Sequence, residues 1–171
     1  MTTALLVAVV LLAALTVLNL ILVLGVVRRL RTFETGHGAP SALPPVLSRA
    51  TGERIDDFAT STVDERGLSR GALSGRTLFG FFATDCSACH ERLGDFRAAA
   101  ARHTGDVVAV VVREGSAPEP LLAGLAGTAV VVEDPDGPVA RAFGVRGFPA
   151  FVLVNDDGVI ESTGFQVPVP A

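Results

Sequence analysis

Hydrophobic positions along this chain fall into three patterns: one very long run, several runs of strand length, and one stretch at helical spacing. The long run comes first. Ala4 to Val27 carries no charge, and only Thr16, Asn19 and Gly25 interrupt its Leu, Val, Ile and Ala. As a helix rising about 1.5 Å per residue it would reach about 36 Å, against a hydrocarbon core of about 30 Å. A transmembrane helix with a basic flank is therefore predicted over residues 1–31. A cleaved signal peptide fits less well, because the start MTTALL has no Lys or Arg, the apolar run is too long and no Ala-x-Ala pattern follows.

Residues 32–47, rich in Gly, Pro, Ser and Ala, read as a flexible tether. A domain over 48–171 follows. Within it Asp56–Val63 alternates weakly, as an edge strand would, and Gly67–Gly75 suggests a short helical turn. Thr77–Ala83, Asp106–Arg113 and Thr128–Val132 are continuous apolar runs, the mark of strands covered on both faces in a parallel sheet. Between the first two, Cys89–Arg102 places Leu93, Phe96, Ala100 and Ala101 at helical spacing, with Gly105 as a helix stop. Pro118–Leu125 and Pro138–Phe143 are short helices. Ala150–Val154 and Val159–Ser162 flank NDDG, a hairpin signal. Strand, helix, strand, helix, strand, helix and an antiparallel hairpin define an α/β layer fold with a mixed sheet.

Charge narrows the partners. All 14 basic residues are Arg, three of them (Arg28, Arg29 and Arg31) directly after the long apolar run, leaving 11 against 18 acidic residues. No basic patch argues for nucleic acid. The same three arginines, with no basic side chain before the run, place the domain in the cytoplasm by the positive-inside rule.

Candidate chemistry lies in DCSACH, Asp85 to His90, which holds the only two cysteines. Four readings compete. Cys-x-x-Cys-His is the haem c attachment string, but the only Met is the first residue, and His37 and His103 lie in the tether and at a helix end. A closed zinc site needs four ligands, and Cys86, Cys89 and His90 leave it one short. Buried inert cysteines are common, yet this spacing at a strand-to-helix junction is an unusual accident. A dithiol centre uses what the location supplies. A sulfur at the first turn of a helix meets unpaired N–H groups and the positive end of the helix dipole, and both favour the thiolate. A second sulfur three residues on can then attack a mixed disulfide formed at the first.

A third feature lies 63 residues beyond Cys86, where GVRGFPAFVLV enters an apolar strand at Phe148-Pro149. Proline at that place either begins the strand in trans or holds a cis peptide bond.

With FFATDCSAC and GVRGFPAFVLVNDDGVI on one chain in that order, the segment from about Ser48 to Gly164 resembles the thioredoxin fold, and specifically the membrane-anchored TlpA/ResA-type thiol-disulfide oxidoreductases. The anchor followed by RRLR also resembles their relative MauD. The resemblance implies a three-layer fold in which Cys86 is the attacking thiol and Cys89 the resolving thiol. It makes Pro149 a cis-proline facing them, binding substrate as an added strand, with Phe148 touching substrate. It implies no metal or organic cofactor, only the redox-active Cys86–Cys89 disulfide. Partners would be protein thiols or disulfides, including an apocytochrome or a maturing redox enzyme. The family works outside the cytoplasmic membrane, against the arginine argument, and we favour the outside because disulfides persist there.

Departures are visible too. Asp85 stands where the family has Trp, Ala88 replaces a Pro, and Gly80 occupies the strand position of the buried Asp of cytosolic thioredoxins. The ending FQVPVPA predicts that the family's last helix is absent. Two residues are candidates for electrostatic tuning: His90, one turn after Cys86, would favour the thiolate when protonated, and Asp85 would oppose it. Solvated surface positions are the simpler expectation for both. The departures motivate an alternative function, a thioredoxin-like binding or maturation module with little turnover. A peroxiredoxin pattern would need Pro at Phe79 and Thr or Ser at Ala83, and copper delivery of the Sco type a more distant His than His103.

Overall fold

The computed structural model describes residues 46–115 and 118–168 together with four helical positions near the start, Leu12, Leu15, Thr16 and Asn19. It divides into two compact units, Met1–Pro44 and Pro45–Ala171. The transmembrane expectation for 1–31 and most of the tether fall outside the described residues. Among those described, no helix is long and apolar enough to cross a membrane.

The second unit runs β1 (Ala59–Ser61), β2 (Gly67–Ser69), a 3₁₀ turn (Arg70–Ala72), β3 (Thr77–Ala83), α1 (Ser87–Ala100), β4 (Val107–Val112), α2 (Glu119–Gly124), β5 (Ala129–Glu133), α3 (Pro138–Phe143), β6 (Ala150–Val154) and β7 (Ile160–Gly164). Five strands form one sheet in the order β5-β4-β3-β6-β7. β3, β4 and β5 are mutually parallel, whereas β6 and β7 run antiparallel. The expected mixed α/β sheet is thus present, with β3 at its centre.

Each apolar run is a strand because both faces of the sheet are covered. β3 shows the division most clearly. Phe79 and Phe81 face a core with Val110, Val131, Val152, Phe58 and Phe143 of α3. Leu78 and Phe82 face a second core with Phe96 of α1, Leu121 of α2, Val111 and Phe151. Phe143 anchors the first core, its ring centroid 4.6 Å from that of Phe79 and 5.0 Å from that of Phe81. In the second, Phe96 lies 5.3 Å from Phe82 and 5.9 Å from Phe151. Full burial of one such side chain stabilises by about 1.5–3 kcal/mol relative to exposure.

Several sequence expectations are corrected. Within Asp56–Val63 only Ala59–Ser61 is strand, and it pairs with β2 in a separate two-stranded sheet. Gly67–Gly75 is not a helix but β2 followed by the single 3₁₀ turn. Of the expected Leu93, Phe96, Ala100 and Ala101, only Phe96 is fully buried, beside Cys89 and Ala99; Leu93 and Ala100 are half-buried and Ala101 is exposed. Gly105 does not stop α1, which is capped at Ala101. Gly105 instead lets the backbone pass against the Arg76 carbonyl, where a Cβ would collide.

Packing also begins before Ser48. Val46 and Leu47, placed in the tether by composition, are buried, and Leu47 bridges Val145. After β7, Phe165 packs on the first core and Val167 on the second, and no helix follows among the described residues.

Candidate active site

Parallel strands end together, and chemistry-bearing loops gather at their carboxyl ends. Here Ala83, Val112 and Glu133 form one row across β3, β4 and β5. The turn that follows Ala83 carries the cysteines.

Cys86 and Cys89 are joined as a disulfide, with Cα atoms 5.2 Å apart. Cys86 is the N-cap of α1, in extended backbone (φ −103°, ψ 106°). Its sulfur accepts a hydrogen bond from the Cys89 N–H at 3.1 Å, and its carbonyl accepts from the same N–H at 3.1 Å and from His90 at 3.4 Å. A residue with a polar acceptor is what a helix start requires, and here sulfur fills the place usually held by Ser or Asp. Cys86 is half-buried and Cys89 fully buried in the second core. Cys86 is therefore the more accessible residue of the pair, and Cys89 is shielded.

Both tuning candidates, Asp85 and His90, are exposed. Asp85 stands over Gly115, where a Cβ would come within 3.0 Å of its Oδ2. Gly115 itself has φ +93°, a conformation that suits glycine.

The Phe148–Pro149 peptide is cis. Ala150 pairs with Phe81, so Pro149 arrives at the end of the sheet from which Cys86 departs. Pro149 is buried and Phe148 half-buried, packed against both cores, the second of which also holds Cys89 and, at its margin, Cys86. The loop is braced by the chain's entry into the domain. Ser48 N–H donates to Gly144 O at 2.7 Å, and Arg146 N–H to Val46 O at 2.7 Å. Beside Phe148 opens a groove of about 350 Å³, its walls including Val112, Glu114, Asp136, Arg141 and Arg146.

Two residues of the site were not singled out by sequence. Thr84 is buried, and its hydroxyl accepts the Glu114 N–H at 2.9 Å, tying the active-site turn to the end of β4. Glu133 is buried, and its carboxylate accepts N–H groups from the start of α3. Burial holds the Glu133 carboxyl above its ordinary 4.5, opposed by the Ala140 and Val139 hydrogen bonds and the charge of Arg141. The signal for Glu133 was present: an acid closing an apolar strand run a few residues before a Pro-started helix.

At Gly80, a Cβ would lie 2.6–2.9 Å from three ring atoms of Phe96. The aromatic ring of α1 occupies the space under the helix that a side chain on β3 would need. Among the described residues no group of three or more His, Cys, Asp or Glu could hold a metal.

A disulfide between a half-buried and a fully buried cysteine, at a helix start above a mixed sheet with a cis-proline at the same end, defines a thioredoxin-like dithiol/disulfide protein. The Redoxin family model matches residues 50–170, and the chain belongs to that family as a thioredoxin-like oxidoreductase. No curated protein sequence matches it significantly. Solved structures share the fold. They include the thioredoxin domain of a thiol-disulfide oxidoreductase from Bacteroides vulgatus (19% identity, 70% of this chain and 91% of that one, TM-score 0.56). A thio-disulfide isomerase from Thermus thermophilus matches with 19% identity over 71% and 89% of the two chains (TM-score 0.57). StoA from Bacillus subtilis matches with 20% identity over 67% and 90% (TM-score 0.52).

Proposed function

We propose that this chain is a membrane-anchored thiol-disulfide oxidoreductase that exchanges disulfides with protein substrates, its domain standing outside the cytoplasmic membrane. The observation that carries the exchange chemistry is the pairing of a half-buried N-cap sulfur, Cys86, with a fully buried Cys89 one turn in. In the reducing direction the Cys86 thiolate attacks a substrate disulfide, forming a mixed disulfide and releasing one substrate thiolate. Cys89, on losing its proton, then attacks the Cys86 sulfur, closing the Cys86–Cys89 disulfide and releasing the second substrate thiolate. Two electrons pass to the substrate, and an external dithiol must restore the pair. The oxidising direction is the same path reversed, and relative potentials choose between them.

Pro149 and Phe148 supply the docking edge in this reading, because a buried proline with no N–H and an adjacent half-buried aromatic leave backbone and apolar surface for an extended substrate segment. Maturing redox proteins with exposed cysteines, apocytochromes among them, are the substrate class we propose. The transmembrane helix predicted from sequence over 1–31 would hold the domain at the membrane.

Turnover of insulin disulfides by the full-length protein tests the activity, and Cys86→Ser must abolish it. Unchanged reduction in that variant sinks the enzymatic reading. A C-terminal reporter active on only one side of the membrane tests the orientation, and activity on the cytoplasmic side overturns it.

A second reading, a client-holding maturation module with slow redox turnover, draws on Gly80. Phe96 fills the place beneath α1, so no carboxyl on β3 can relay a proton from Cys89. Fast turnover rejects this reading.

A further inference from the structure

Of the charged side chains in the described residues, only Glu133 is buried, at 6% exposed, and disulfide exchange makes no use of it. Its position is built. The residue ends β5 beside Val112, and its carboxylate turns across the following turn to the first residues of α3. There Oε2 accepts the Val139 N–H at 3.1 Å and Oε1 the Ala140 N–H at 2.7 Å. Gly137 makes room for it, since a Cβ at 137 would come within 2.5–2.6 Å of the Glu133 side chain. Its own carbonyl accepts the Arg113 N–H at 2.9 Å, and the Arg113 side chain pairs with Asp134 at 2.8 Å.

A buried carboxylate is costly and is retained where its hydrogen bonds fix something that an apolar residue would leave loose. What it fixes here is α3. Six residues make too few internal bonds to stabilise a helix alone, so α3 depends on external anchors: Phe143 in the core, the 46–48 segment at its far end, and Glu133 at its start. α3 in turn forms one wall of the groove beside Phe148, through Ala140 and Arg141, continued by its cap Gly144. At its end Gly144 adopts φ +66° and the chain passes directly into the loop that reaches Pro149.

We infer that Glu133 is a positioning residue for the substrate groove. By gripping the first turn of α3 it sets where the groove wall, and the Pro149 loop beyond it, stand relative to Cys86. The inference rests on the proposed exchange activity for its kinetic consequence, but its structural consequence is independent of that activity.

The test uses the full-length chain with Glu133→Gln, which keeps the size and one carbonyl acceptor, and Glu133→Met, which keeps the size and neither. Amide hydrogen exchange across 138–148 is expected to quicken roughly tenfold or more in Glu133→Met and less in Glu133→Gln, with β3 and α1 unchanged. KM for insulin is expected to rise several-fold in the same order, while kcat and the rate at which iodoacetamide alkylates reduced Cys86 hold. Unchanged exchange across 138–148, or quickening spread evenly over the domain, overturns the inference, as does a fall in Cys86 alkylation parallel to the loss of insulin turnover. If Glu133→Met does not fold, Glu133→Gln decides on the same readouts. A wild-type protein that neither reduces insulin nor oxidises a reduced dithiol peptide would sink the proposed function, and amide exchange would still decide the role of Glu133.

Discussion

The Cys89 amide donates to the Cys86 sulfur across 3.1 Å at the first turn of α1. That contact places the outer sulfur where a helix N-cap oxygen ordinarily sits, facing donors that stabilise it as an anion once the disulfide opens.

The two cysteines should therefore separate on mutation. Cys89→Ser leaves the outer sulfur able to attack and removes the group that resolves the product, so a mixed disulfide with substrate accumulates. Cys86→Ser should yield none, and turnover should be lost in both. Non-reducing electrophoresis after incubation with a reducible protein substrate reads the difference. Equal trapping in the two variants contradicts the assignment.

Gly80→Ala should destabilise the domain by about 1–3 kcal/mol, because the new Cβ meets the Phe96 ring at 2.6–2.9 Å and a packed core yields only with strain. The specific check is coupling. Combined with Phe96→Leu, the glycine substitution should cost less than the sum of the two single changes in urea unfolding. Strict additivity would mean that the ring does not set the cost.

Phe143→Ala should cost about 3–5 kcal/mol, a large share of a typical stability of about 5–15 kcal/mol. Its ring meets Phe79, Phe81 and Phe58 at once, and no neighbour on a six-residue helix can fill the space. A loss under about 1 kcal/mol in chemical denaturation would show that the first core closes over the cavity.

Glu133 gives the stability of the domain a definite pH slope. Its carboxyl is held above the ordinary 4.5, chiefly by burial. The native state therefore binds a proton more readily than the unfolded chain, and this residue's contribution falls as pH rises through the native value. Below 4.5 that contribution is complete. Relative to Glu133→Gln, which has no proton to take up, the wild type should gain stability as pH is lowered from 7 towards 4.5. Paired urea titrations across that range measure the gain. A difference that shrinks on acidification would reverse the sign and refute the assignment.

Much of the fold was legible because burial on both faces leaves a strand no choice of composition. TLFGFFA, DVVAVVVR and TAVVV advertise parallel strands in one dimension, and DCSACH advertises the candidate site. The weaker elements were misread for a physical reason. Ala59–Ser61 and Gly67–Ser69 are three-residue strands whose only partners are each other, so no long apolar run marks them and turn chemistry dominates their composition. Gly105 carries a helix-stop signal in sequence because glycine has two uses, and only the nearby Arg76 carbonyl shows that close approach is the one in force. Val46 and Leu47 looked like tether because their partners, Gly144 to Arg146, lie about a hundred residues away in sequence.

Local sequence alone placed two sulfurs three apart at a strand-to-helix junction, where they share a helix start, and so marked the candidate site. It also marked the central strands as buried, because apolar runs of that length within a folded domain are covered on both faces. Only the tertiary structure decided the strand order, which depends on pairings between distant segments, the half-buried and fully buried fates of Cys86 and Cys89, and the partner of Glu133. Each is a matter of which remote atoms fill the surrounding space, and that information exists only once the chain has closed on itself.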